Sequence, residues 1–419
     1  MHSEQHRSVW FRLASYVVQN HVKVLLVVLL IMSPLSYLST KLQVTVDQNQ
    51  LHDRTQPEYE TWLRFRAALP AGMTWPYALI AQPGDNATLL DAAEIVELNN
   101  ALIAELVDVL GIHARLFSGP TWLNGKPQRL AVALGYLGYP KPVPPYIDTP
   151  LFYYSQLRNG RVPHLNIESK AFYTEIDTPF DPQGSKVEPF IRTTRAVIAK
   201  HNRPGLVTFH LALGLTSMVD VSDTVYSRAP AVLFATVAVL LCITAVAFRS
   251  AVVAIRLSFT ILLTLSWSFG SGVLVFQLGL FDWVGPSMAN VHAISWLAPT
   301  MTFSLITALG CDYEVFLTTR IREFRAMGFT DNAAIVCGYY RAGGVITTAG
   351  LIMVVAFGSL VLSSQMLLVE CGFLLAWSVV LDTFVVRSLV SPALMVLCGE
   401  ANWWPSQMPP GTREVDDMN

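Results

Sequence analysis

Six stretches of mostly apolar residues, at 23–40, 229–247, 257–279, 294–317, 343–363 and 366–390, limit what this chain can fold into more than any other feature. A run of roughly 20 apolar residues crosses the hydrocarbon of a bilayer as one helix, because no water is there to satisfy a backbone that does not satisfy itself. The composition agrees. With 53% hydrophobic and 14% charged residues and a mean hydropathy of +0.44, the chain lies outside the range of soluble globular domains. The expected fold is a membrane α-helical bundle of six transmembrane helices, with a mixed α/β exterior domain between helices one and two. The division is 1–22 as an interfacial amphipathic helix, 23–40 as the first span, 41–228 as the exterior domain, 229–400 as the five-helix remainder and 401–419 as a cytoplasmic tail.

Basic residues set the expected orientation. Arg249 and Arg256 bracket the turn after the second span, and Arg320, Arg322, Arg325 and Arg341 crowd the connection after the fourth. The connections 280–293 and 363–366 on the other side contain neither Lys nor Arg. With Arg7, Arg12 and Lys23 at the start, the positive-inside rule puts both termini in the cytoplasm of a plasma or bacterial inner membrane and residues 41–228 outside. Between Ser8 and His21 one helical face gathers Trp10, Leu13, Ala14, Val17 and Val18, which suits a helix lying in the interface. The long polar leader and the lack of a small-x-small site after Leu38 favour a retained anchor over a cleaved signal peptide.

The exterior domain contains none of the five cysteines, so a packed core rather than disulfides has to hold it. Leu90 to Leu110 has helical periodicity. Leu206 to Leu213 reads as a strand ended by Gly214, and Thr216 to Tyr226 leads as a helix into the second span. Gly138 to Pro150 is a proline-rich surface loop, and Asn86 opens a glycosylation sequon.

Asp312, with Tyr313 beside it, interrupts the fourth apolar run. A carboxylate in hydrocarbon costs at least about 2.5 kcal/mol, so it is expected to face a bundle interior and to carry protons, ions or substrate. Asp382 falls under the same argument. Arg387 lies five residues on, where a direct pair with Asp382 would be strained on an ideal helix, so pairing and a cytoplasmic anchoring role both stay open. Thr347 and Thr348 are candidate donors to a buried acid, or bond back to their own helix carbonyls. Glu370 is expected at the interface and outside the mechanism. Phe281, Trp283, Met288 and Trp296 read as an aromatic belt or an entry portal at the outer leaflet. No zinc-binding His-Glu-x-x-His helix, Gly-x-Ser-x-Gly elbow or phosphate loop occurs, which argues against an enzyme and an ATP-driven pump. Nothing points to nucleic acid.

The stretch from Gly310 to Glu323 (GCDYEVFLTTRIRE) closely resembles the fourth-helix signature of the MMPL branch of the RND transporter superfamily. Further matches are Phe248-Arg249-Ser250, Val345 to Met353 (VITTAGLIM), Leu381 to Arg387 (LDTFVVR) and the closing Gly399 to Pro405 (GEANWWP). The resemblance implies a proton-driven exporter of lipids or other hydrophobic molecules, with protons as the coupling ion and no bound cofactor. It assigns the proton relay to Asp312 and Tyr313, and carries the acid and base of helix six onto Asp382 and Arg387. No lysine follows Lys200, which departs from the drug-efflux branch with its membrane lysine. Family transporters hold two parallel repeats, whereas this chain supplies one, most similar to the second. The expected partner is therefore a second copy, with Asp312 of each facing Tyr313 of the other, or a separately encoded half. The competing functional class is a non-transporting, Patched-like sterol-sensing receptor or scaffold.

Overall fold

The computed structural model describes residues 9–51, 57–69, 71–84, 91–119, 121–128, 165–166, 171–280 and 293–415. The sequon at Asn86, the proline-rich stretch from Gly138 to Pro150 and the aromatic positions Phe281, Trp283 and Met288 lie outside them.

The chain opens with α1 (Val9–Gln19) and α2 (His21–Ser39). Helix α1 buries Phe11, Ala14 and Val17. Two of these were on the expected stripe, but the face is rotated toward Phe11, whose ring meets Tyr340 edge-on at 6.3 Å. The helix therefore packs part of that stripe on protein, with Trp10, Leu13 and Val18 half-buried. A short strand, β1 (Val44–Thr45), follows α2.

Next come α3 (Pro57–Ala68), β2 (Tyr77–Pro83), α4 (Ala92–Leu110), β3 (Phe117–Ser118), β4 (Trp122–Leu123), β5 (Lys126–Pro127), β6 (Leu165–Asn166), β7 (Ala171–Ile176), α5 (Val187–His201) and β8 (Val207–Leu213). The main sheet has the order β3-β7-β2-β8, with β6 also on β7, and all of its pairings are antiparallel. A strand-helix-strand, strand-helix-strand chain in this order is a split βαβ arrangement, in which both helices cover the sheet. Leu102, Ile103 and Leu106 of α4 and Phe190, Ile191 and Val197 of α5 are buried, as are Tyr77, Leu79 and Phe209 on the strands. Gly214 ends β8 at φ +53°, and a Cβ there would stand 2.4 Å from the Tyr77 ring, so the turn requires glycine.

The remaining elements are α6 (Thr216–Phe248), α7 (Ala251–Gly272) with a π-helical extension at Val273–Gln277, β9 (Ile294–Ser295), α8 (Leu297–Ala326), α9 (Asp331–Gly358), α10 (Met366–Val380) continuing as π-helix over Leu381–Val390, and α11 (Ser391–Cys398) with a closing 3-10 turn at Gly399–Trp403. Among the described residues, five continuous helical stretches are long and apolar enough to cross a membrane: His21–Ser39, Thr216–Phe248, Ala251–Gln277, Asp331–Leu362 and Met366–Trp403. Helix α8 is 30 residues long, but Asp312 and Glu314 make it more polar than the other five.

Several helices outrun the expected spans because hydropathy marks the greasy part of a helix, while capping marks its ends. The Ser250 side chain accepts from the Val253 N–H and starts α7, and that of Thr330 accepts from Ala333 and starts α9. Consequently Arg256, Arg320, Arg322, Arg325 and Arg341 all sit on helices, not in connections. Arg256 and Arg325 are buried, at 4% exposure each. Helices α2 and α7 pack so closely that a Cβ at Gly270 would stand 1.9 Å from the Leu35 carbonyl oxygen.

Contacts divide the chain into two compact units. One comprises Met1–Thr45, Gln50–Arg54 and Tyr226–Asn419, and contains the bundle; the other comprises Val46–Asn49 and Thr55–Val225, and contains the α/β sheet.

Candidate functional site in the helical bundle

The centre of the bundle is built on the change of helix type at Leu381. In a π-helix the N–H of residue i bonds the carbonyl of i−5, as the Ser391 N–H does here to Val386. Residues five apart then lie nearly above one another, and Arg387 Nη2 donates directly to Asp382 Oδ2. The strain expected for this pair belongs to an α-helix that the chain does not form at this point. Both side chains are buried. The Arg387 guanidinium stacks on the Tyr313 ring at 4.4 Å, and its backbone carbonyl accepts from the Tyr339 hydroxyl at 2.5 Å. Arg387 Nε and Nη1 have no hydrogen-bond partner among the described residues. The pair thus keeps spare donor capacity in a site shielded from solvent.

One turn farther along, a second buried pair forms. Arg256 Nη1 of α7 donates to Glu314 Oε1 of α8 at 2.8 Å and to Ser391 Oγ at 2.8 Å, while its Nη2 donates to Thr318 Oγ1 at 3.1 Å. The Ser391 hydroxyl donates in turn to Glu314 at 2.5 Å. Glu314 is 2% exposed.

Asp312 is not in this interior. It lies on the exposed face of α8, with Met301, Leu305 and Ala308 on the turns before it, so this chain's own fold does not provide the burial expected for it. Glu314 lies two positions after Asp312, about 200° around a helix, and Glu314 takes the inward place. The inward stripe of α8 is Gly310, Glu314, Leu317, Thr318 and Ile321. That i, i+4, i+7, i+8, i+11 spacing was the available signal for Glu314. Tyr313 stands between the two faces, its hydroxyl donating to Met353 Sδ at 3.1 Å. Thr347 and Thr348 bond back to Gly343 and Gly344 carbonyls at 2.7 and 3.0 Å, so neither donates to an acid within this chain.

A third acid lies at the opposite end of the bundle. Glu370, expected at the interface, is fully buried and takes the Ser295 N–H with both oxygens, at 3.0 and 3.3 Å. Ser295 belongs to β9, which pairs in parallel with β1, and Tyr226 closes the same corner with a 2.9 Å bond to the Trp296 carbonyl. Glu370 therefore ties helix α10 to the small β1–β9 sheet. The cost argument used for Asp382 applied equally here.

Comparison with known proteins bears on the same region. The MMPL family profile matches residues 167–414. The "Probable transport protein MmpL12" of Mycobacterium tuberculosis is 33% identical over 215 residues, 50% of this chain and 18% of the relative. The "Sulfolipid-1 exporter MmpL8" of the same organism is 36% identical over 178 residues, 42% of this chain and 15% of that protein. Its "Acyltrehalose exporter MmpL10" is 33% identical over 157 residues, 38% of this chain and 14% of the relative. The chain thus aligns with less than a fifth of the length of each relative.

Proposed function

Because the chain belongs to the MMPL family, we propose that it moves lipids or other hydrophobic molecules across a plasma or bacterial inner membrane, driven by protons and acting as one repeat of a two-repeat assembly. In this reading the bundle has six spanning helices, α8 included, with both termini cytoplasmic and the α/β unit outside. The family names two lipid exporters among its members, and an acylated lipid is the corresponding substrate class here.

The observation that carries the proposal is the Asp382–Arg387 pair under Tyr313. A buried ion pair contributes little net stability, and well-packed hydrophobic side chains usually replace one at no loss. Its presence in the apolar centre of a bundle fits a site that loads and releases charge. Each proton that crosses provides about 2.3 kcal/mol per 100 mV. Asp312 supports the need for a second repeat: its carboxylate, exposed on an apolar helix face, calls for cover by another protein surface. In a two-fold pair of copies that surface is Tyr313 of the partner, and in a heteromer it is the matching face of a separately encoded half.

The test is reconstitution in vesicles with a fluorescent monoacyl-trehalose probe and an imposed pH gradient. The wild-type chain moves the probe when the gradient is applied, and Asp382→Asn and Asp312→Asn do not. Probe movement indifferent to the gradient would remove the proton from the account.

A further inference from the structure

Strands β1 and β9 pair over only two residues each, too few for an isolated pair to hold in water. Their ladder uses the Ile294 N–H, bonded to the Gln43 carbonyl at 3.1 Å, and the Trp296 N–H, bonded to the Thr45 carbonyl at 3.1 Å. Alternation along the strand turns the Ser295 N–H away from β1, where a buried donor needs another partner. Glu370 of α10 is that partner, and takes it with both oxygens. Just ahead of β1, Gln277 at the end of the π-helical extension of α7 takes the Gln43 N–H with its Oε1 at 3.2 Å. Ser295 and Glu370 are buried, and Ile294, Met366, Val369 and Leu374 form an apolar cluster at the same corner, so solvent cannot take over the Ser295 N–H. The small sheet therefore depends on side chains from the helices, Glu370 first among them.

The place of this sheet in the chain gives it consequence. All of these residues belong to the bundle unit, which the chain leaves directly after Thr45 and to which it returns for good at Tyr226. Thr45 holds β9 through the ladder, and the Tyr226 hydroxyl donates to the Trp296 carbonyl at 2.9 Å. The residues on either side of the excursion into the α/β unit thus meet on one short strand. Glu370 binds that strand from α10, which continues without a break into the π-helical segment of Asp382 and Arg387. Asp382 lies twelve positions after Glu370, about 18 Å along the helix axis. One helix therefore carries the buried charge pair at one level and the clasp on β9 at another.

We propose that Glu370 is a positioning residue that carries the state of the Asp382–Arg387 pair to the two points where the chain leaves and re-enters the bundle unit. The proposal rests on the proton-coupled reading above. Loss of charge on Asp382 removes the attraction to Arg387 across the π-helical segment and changes how that segment packs. A shift of α10 as a rod then reaches β9 through the Glu370–Ser295 bond, and Thr45 and Tyr226 through β9. Rigid elements with two packings are the means by which distant sites influence one another. Among the described residues, the charged and titratable groups around Asp382 are Arg387 on its own segment and Tyr313 and Glu314 from α8. Around Glu370 they are Cys371 beside it and Tyr226 from α6.

The experiment reads amide hydrogen exchange at residues 294–296 of the full chain, with neither lipid probe nor gradient present. Asp382→Asn is expected to speed this exchange several-fold in the otherwise wild-type chain, and to have no effect once Glu370→Leu has removed the acceptor. Exchange that ignores Asp382→Asn overturns the proposal. A response that persists in the Glu370→Leu background overturns it too, because an acid that only stabilises the corner would leave the transmission intact. Glu370→Gln keeps an oxygen for the Ser295 N–H and is expected to retain the response; a folded Gln variant without it overturns the role of that bond. In the vesicle assay Glu370→Leu is expected to slow gradient-driven probe movement about tenfold, and an unchanged rate overturns the coupling. Probe movement that ignores the gradient in the wild-type chain removes the proton-coupled reading and the proposal with it, an outcome told apart because it involves no change at Glu370.

Discussion

The most deeply buried ion pairs of this protein lie in the bundle, and the most exposed of those that join different elements lie in the α/β unit. In the α/β unit, Arg192 binds Asp223 at 2.6 Å, Arg195 binds Asp220 at 2.5 Å and Lys200 binds Glu105 at 2.9 Å, with side chains 32–63% exposed. In the bundle, Arg256–Glu314 and Arg387–Asp382 have side chains only 2–12% exposed. The bonding chemistry is the same and the surroundings are not. Exposed pairs are screened and contribute about 0–1 kcal/mol, so they fix little beyond local geometry. Buried pairs lose hydration that their mutual attraction hardly restores. A chain that keeps Arg256–Glu314 and Arg387–Asp382 among apolar helices therefore keeps them for something other than stability.

The largest effect that would break this contrast is on Glu314. Replacing Glu314 with Ala strands Arg256 and is expected to destabilise the bundle by about 3–5 kcal/mol, measured by thermal unfolding in detergent. The double replacement Arg256→Met with Glu314→Met recovers most of that loss while removing function. A single-variant loss below about 1 kcal/mol would put the buried pair on the same footing as the exposed ones. Next in size is Gly270→Ala, whose added methyl meets the Leu35 carbonyl at 1.9 Å. It forces α2 and α7 apart at about 1–3 kcal/mol by the same assay. Arg195→Ala in the α/β unit is expected to change stability by less than about 1 kcal/mol, with the difference shrinking as salt is added.

The smallest effect concerns pH. Partial burial pushes the Glu175 and Asp177 carboxyls up, with repulsion from Asp177 adding to the shift of Glu175. Groups whose folded value is raised stabilise fully below the ordinary carboxylate range, and that stability fades as pH rises through the raised values. Glu105 has the opposite sign, since its hydrogen bond from Lys200 lowers it and that contribution disappears on acidification. The double variant Glu175→Gln, Asp177→Asn is therefore expected to lose a stabilisation that wild type gains on going from pH 7 to pH 5. The difference is on the order of half a kcal/mol after solvent screening, read from paired melting curves.

How much of this was legible in sequence depended on whether local rules suffice. Gly214 as the end of β8 and the helix beginning at Thr216 follow from turn chemistry and periodicity, and both are in the structure. Asp382 was legible as an acid with something to do, because its cost is a property of the residue and its neighbours in sequence. Its partner was not, because the Arg387 contact depends on a π-helical segment that hydropathy and spacing do not announce. Arg256 was read as a loop charge because the apolar window began one residue after it, although Ser250 was a visible cap for a helix starting at Ala251. Asp312 drew attention away from Glu314 for a simpler reason: both are acids in one apolar run, and only the helical stripe distinguishes the inward one. Family membership explains why both belong to one motif, but not which of them this chain buries by itself.

The most direct measurement of the central idea is proton movement in reconstituted vesicles carrying an internal pH-sensitive dye. Wild-type protein is expected to dissipate an imposed pH gradient only when the monoacyl-trehalose probe is present, and Asp382→Asn, folded to the same melting temperature, to leave the gradient standing. Equal dissipation by the two proteins would contradict the assignment of Asp382 and the buried charge pair to proton coupling.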